Sequence, residues 1–78
     1  MIVSSHAKEE MQRSNISEEE IIQCLQHGEL IIKQVIAGEM RYGKQIDFKE
    51  KRIVVIYTHQ QDNERIITTY LVRRKRQW

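Results

Sequence analysis

Three sets of side chains in this sequence have the types and spacing to act on a phosphodiester. The first is His6, which follows Ser4-Ser5 at the start of a helical pattern. An imidazole titrates near neutrality and can take or give a proton, and the dipole at a helix start favours the neutral, base-competent ring. The second is Tyr70 with Thr68, two hydroxyls spaced two residues apart in an extended segment and therefore on one face of it. Strict alternation puts Ile66 and Val72 on that same face, with Thr69 and Leu71 on the other. The third is the cationic set Arg41, Lys44, Lys51, Arg52, Arg65, Arg73 and Arg74. Guanidinium grips a phosphate with a two-pronged fork, and an ammonium acts as a point charge. Metal-free cleavage through a ribose 2′-hydroxyl needs a base, an acid for the leaving oxygen and cations around the phosphorane. His6, Tyr70 and Thr68, with those cations, could fill these places. Each also has a plain structural reading: His6 as a surface histidine, Tyr70 as a core ring with its hydroxyl at the rim, the cations as solvated strand edges.

The charge distribution favours a polyanionic partner. Residues 1–40 carry three basic and seven acidic side chains, a net of −4; residues 41–78 carry ten basic and four acidic ones, a net of +6. The basic half closes on Arg73-Arg74-Lys75-Arg76-Gln77-Trp78, where an aromatic ring that could stack on a base follows a cationic cluster. Other chemistries lack a signature. There is no glycine-rich phosphate loop, no Ser-His-Asp pattern and no metal-ligand spacing, since His27 and His59 are scattered and the single Cys24 has no soft neighbour. No cofactor and no metal are therefore expected. A lone thiol suits a reducing, cytoplasmic setting. No apolar run approaches the ~18 residues of a membrane span, and Ile2-Val3 passes at once into Ser4-Ser5-His6 without a signal-like pattern.

The 78 residues are read as a single domain, 1–78, short enough that dimerisation or a partner would help its small core. Residues 6–13 read as a first helix, capped by Ser4 or Ser5, with Val3, Ala7 and Met11 as its apolar stripe. Ser17 and Glu20 have capping-box spacing for a second helix, and Ile16 and Ile21 have hydrophobic-staple spacing. Its buried face is Ile21, Cys24 and Leu25, and Gly28 is expected as a left-handed stop. The remainder reads as strands over residues 30–36, 40–48, 53–57 and 65–72, with Gly43 a candidate bulge and 60–63 a hairpin loop. Short polar connections imply antiparallel neighbours. The expected fold is α+β: two N-terminal helices packed on a four-stranded antiparallel sheet.

Ser5-His6-Ala7, Met11, Ile16-Ser17-Glu18-Glu19-Glu20-Ile21, Gly28-Glu29 and the closing Ile67-Thr68-Thr69-Tyr70 together resemble a family of small bacterial proteins. Its domain is catalogued as of unknown function, and its members open with a Ser-x-His-Ala-type helix. The family is thought akin to RelE/ParE-type toxins and barnase-like ribonucleases. The resemblance implies a RelE-like toxin of a toxin–antitoxin pair: a cytoplasmic, metal-independent endoribonuclease acting on RNA, at the ribosome or off it, and held by an acidic antitoxin protein. It places His6, Thr68 and Tyr70 where the family keeps polar residues. Two departures stand out, since Glu10 and Ser14 occupy positions where the family often has a basic residue. The alternative reading is a non-catalytic module of the same fold that binds nucleic acid or protein.

Overall fold

The structure, a computed structural model, describes residues 1–73 and the side chains of residues 1–72. A two-residue strand, β1 (Ile2–Val3), leads into helix α1 (Ser5–Ser14). Ser4 caps α1: its backbone is extended and its hydroxyl accepts from the Ala7 N–H at 3.1 Å. The same hydroxyl donates to the Ile67 carbonyl at 3.0 Å, which ties the helix start to the sheet. Asn15, in the left-handed region with φ 53°, closes α1. Helix α2 (Glu18–His27) carries the full capping box, Ser17 accepting from the Glu20 N–H and Glu20 from the Ser17 N–H.

Gly28 ends α2, but not as a left-handed stop. Its φ is −72° and its ψ 160°, which any residue adopts. A Cβ on this residue would sit 2.8 Å from the Gln45 carbonyl oxygen, and closer still to that of Cys24. Glycine is required here because two backbone carbonyls, one of α2 itself and one of β3, pass too near.

Four long strands follow: β2 (Glu29–Ile36), β3 (Glu39–Asp47), β4 (Lys51–Gln60) and β5 (Asn63–Arg73). They pair antiparallel in sequence order, and β1 adds to β5 in parallel, giving the order β1-β5-β4-β3-β2. The expected four-stranded antiparallel sheet is thus corrected to a five-stranded mixed one, with the α+β class and the two helices retained. Two residues are too few to show a strand period. What makes them a strand is the edge of β5, whose Ile66 carbonyl takes the Ser4 N–H at 3.1 Å.

Both helices lie on one face of the sheet. Ala7, Ile16, Ile21 and Cys24 pack there against Ile53, Val55, Tyr57 and Ile66, with Met11, Leu25, Ile46 and Leu71 around them. Val3 completes the Val3–Ala7–Met11 stripe against this core. Two lysines bind the layers. Lys44 Nζ donates to the Leu25 carbonyl at 2.6 Å, satisfying one of the orphan carbonyls of the last turn of α2. Lys51 Nζ meets Glu20 at 2.8 Å. β4 lies in the middle of the sheet and is apolar on both faces, so Val54 is buried even though it points away from the helices.

Candidate nucleic-acid interface

The strand register decides which candidate side chains meet. Ile53, Val55 and Tyr57 face the helices, so Arg52, Val54, Ile56 and Thr58 face the other way. Across β5, Val72, Tyr70, Thr68 and Arg65 stand opposite those four in turn. Across β3, Asp47, Gln45 and Gly43 do the same for the first three, and Arg41 follows at the next alternate position. The uncovered face therefore carries Arg41, Arg52 and Arg65 together with Thr68 and Tyr70.

One placement corrects the simple alternation. The register shifts between Ile56 and Tyr57, and the extra residue in β5 turns Ile66 to the helix face, opposite Tyr57. Ile66 enters the core with no exposure, while Thr68, Tyr70 and Val72 keep the open face. The bulge releases the two hydroxyls from any core duty. Tyr70 is 41% exposed, beside its cross-strand partner Val54, which is buried. Gly43 is not itself a bulge. The bulge lies opposite, in β2 between Leu30 and Ile32, and Gly43 leaves room for Ile32 and Ile56 to close over the backbone, each 3.0 Å or less from where its Cβ would be.

The three arginines differ in what already holds them. Arg52 makes a fork to Asp47, Nε to Oδ1 at 2.6 Å and Nη2 to Oδ2 at 3.2 Å, and that carboxylate raises the guanidinium pKa further. Arg41 gives only its Nε, to Glu39 at 3.2 Å, so its terminal nitrogens stay available. Among the described residues no hydrogen bond or ion pair holds Arg65. Lys44 and Lys51 leave the group of phosphate candidates, since both point to the helices and serve the packing described above. Arg74, Trp78 and the side chain of Arg73 lie outside the described residues.

His6 is not brought to Tyr70. It is exposed on the first turn of α1, and α1 packs on the helix face through Ala7. The helix that carries the imidazole and the phenol of Tyr70 thus lie on opposite faces of the sheet. Among the described residues nothing hydrogen-bonds the His6 side chain and no cluster of His, Cys, Asp and Glu is gathered as metal ligands. Cys24 is fully buried and burial pushes its thiol up to about 11, so it is a core group and no nucleophile.

Sequence reasoning missed a second group. On the helix face, at the rim of the core, Tyr42 and Tyr57 stack at 5.5 Å, and His59 meets both edge-on, at 5.2 and 5.7 Å. Burial raises the Tyr57 phenol, assisted by the nearby Glu64, so it stays protonated at neutrality. Lys44 Nζ lies 6.0 Å from the Tyr57 ring centre. Beside this group is a hollow of about 360 Å³ lined by Gly38, Glu39, Met40, Tyr42, Thr58 and His59. Tyr42 and His59 lie 17 residues apart, and only the β3–β4 register joins them, so no local spacing could have announced the cluster.

The match to a family model now adds to this geometry. The model for the domain of unknown function DUF4258 covers residues 3–71, and the chain belongs to that family. No curated protein and no solved structure matches it.

Proposed function

We propose that this domain binds single-stranded RNA on the open face of its sheet. The observation that carries the reading is the register: it gathers Arg41, Arg52 and Arg65 on the helix-free face with the exposed ring of Tyr70 and the hydroxyl of Thr68 between them. A sheet that offers an aromatic ring can stack an unpaired base, and flanking guanidiniums can take the phosphates on either side. The carboxylates of Glu39 and Asp47 do not block this. Exposed ion pairs are worth about 0–1 kcal/mol, and each paired guanidinium retains unused N–H donors.

The resemblance to toxins that the sequence motifs suggest adds cleavage as a second reading. It is favoured by Thr68 and Tyr70 sharing that face with Arg65, and it gives His6 no part in the reaction. Binding of a labelled single strand, measured against salt and in the presence of a chelator, tests both readings. Three phosphate contacts predict a log–log salt slope of about −2. Arg65→Ala and Tyr70→Ala should each weaken binding about tenfold, and His6→Ala should leave binding unchanged. Any cleavage should likewise survive His6→Ala and vanish with Tyr70→Phe. Wild-type binding by both Arg65→Ala and Tyr70→Ala would remove the open face from the reading.

A further inference from the structure

The open face holds a threonine hydroxyl that the fold does not use. Of the three threonines in the chain, two are committed to backbone carbonyls of the sheet: Thr58 donates to Met40 at 2.7 Å and Thr69 to Val54 at 2.8 Å. Among the described residues nothing hydrogen-bonds the hydroxyl of Thr68, which is half-buried on the open face opposite Ile56. Its company there is set by the bulge. Arg65 and Thr68 lie three residues apart, and strict alternation would send them to opposite faces. The extra residue between them puts both on the open face, opposite Thr58 and Ile56, which are two residues apart in β4. β5 therefore presents in line a guanidinium, a hydroxyl and the exposed ring of Tyr70, each about 7 Å from the next along the backbone. The ground beside this row is apolar: Val54 is buried opposite Tyr70, and Ile56 closes over Gly43 opposite Thr68.

We infer that Thr68 makes this face selective for RNA over DNA by hydrogen-bonding a ribose 2′-hydroxyl, an assignment that rests on the RNA reading above and names the residue that reads the sugar. A nucleotide presents phosphate, ribose and base in that order. The row on β5 presents a cation, a hydroxyl and an aromatic ring in the same order. A strand with one phosphate on Arg65 and one base stacked on Tyr70 therefore brings the sugar between them to Thr68. A threonine hydroxyl suits a 2′-hydroxyl because each can both donate and accept. Val54 and Ile56 offer the sugar no competing polar partner, and apolar surroundings strengthen the bond that Thr68 makes. A deoxyribose strand keeps the contacts to Arg65 and Tyr70, which any single strand can make. It lacks only the group that Thr68 would hold.

The test compares oligouridine with oligodeoxyuridine of equal length, two strands that differ only in the 2′-hydroxyl, by fluorescence anisotropy on the whole chain. Wild type should bind the ribose strand about three- to tenfold more tightly, the worth of one net hydrogen bond. Thr68→Val keeps the shape of the side chain and removes its hydroxyl, and it should bring the ribose strand down to the level of the deoxyribose strand. Thr68→Ser, which returns the hydroxyl, should restore most of the difference. Equal binding of the two strands by wild type, a ribose preference that survives Thr68→Val, or a loss by the same factor for both strands in that variant overturns the inference. Each of these leaves single-strand binding by the open face in place. Binding of neither strand by wild type overturns the RNA reading itself, and the sugar selectivity with it.

Discussion

At the scale of single residues, chemical type was legible in the sequence and surroundings were not. His6 has the right type for a base, and Ser4 caps its helix as expected; only the layering shows that this helix lies across the sheet from Tyr70. Lys44 and Lys51 look like phosphate ligands in a list of cations, yet each is held by α2. Gly28 shows the same gap between type and cause. Its place after α2 was readable, but the reason is steric: the Cys24 carbonyl of α2 itself and the Gln45 carbonyl of β3 both occupy the space a Cβ would need. The two causes make different predictions. A left-handed stop tolerates asparagine better than alanine. A steric requirement tolerates neither, since both carry a Cβ. Gly28→Ala and Gly28→Asn should therefore both destabilise the fold by about 1–3 kcal/mol, as measured by urea unfolding. A clearly milder asparagine variant would restore the left-handed explanation.

At the scale of elements, the signals that survived were those carried by local chemistry. The capping box of α2 and the short polar breaks between strands depend on neighbours in sequence, and they appear where expected. β1 and the bulge that turns Ile66 inward depend on a partner strand and could not be read from alternation. The contact between α2 and β4 through Glu20 and Lys51 is also non-local, and it predicts how stability depends on pH. Burial acts to raise the Glu20 pKa, but the Lys51 ammonium and the Ser17 bonds outweigh it, and the carboxyl titrates below its ordinary value of 4.5. A folded pKa depressed below the unfolded one contributes stability that is present above the unfolded value and lost as pH falls through the folded one. The melting temperature should therefore hold from neutrality to about pH 5 and then decline. Glu20→Gln should lower it at neutrality and flatten part of that decline; an unchanged acid limb in the variant would show that other carboxylates carry it.

At the scale of the whole molecule, the sheet has one bare face and two outer edges to manage besides the face under the helices. The segregation of charge along the chain maps onto the fold, the acidic half building β1, both helices and β2 and the cationic half supplying nearly all of β3 to β5. One edge is blunted by the two residues of β1. The other is β2, with eight residues and four large exposed apolar side chains, Leu30, Ile31, Val35 and Ile36. A long apolar edge is a template for edge-to-edge association. Two features of the strand oppose it: the bulge between Leu30 and Ile32, which breaks a flat register, and the exposed Lys33. Val35, 61% exposed, lies beyond both devices, opposite Met40 near the hairpin end. A charge at this position should complete the protection without touching the core. Val35→Lys is expected to slow aggregation on warming, followed by light scattering, while leaving the unfolding midpoint within about 0.5 kcal/mol of wild type. Lys33→Val should act in the opposite sense. If neither changes the scattering onset, the edge of β2 is not the surface through which this chain associates.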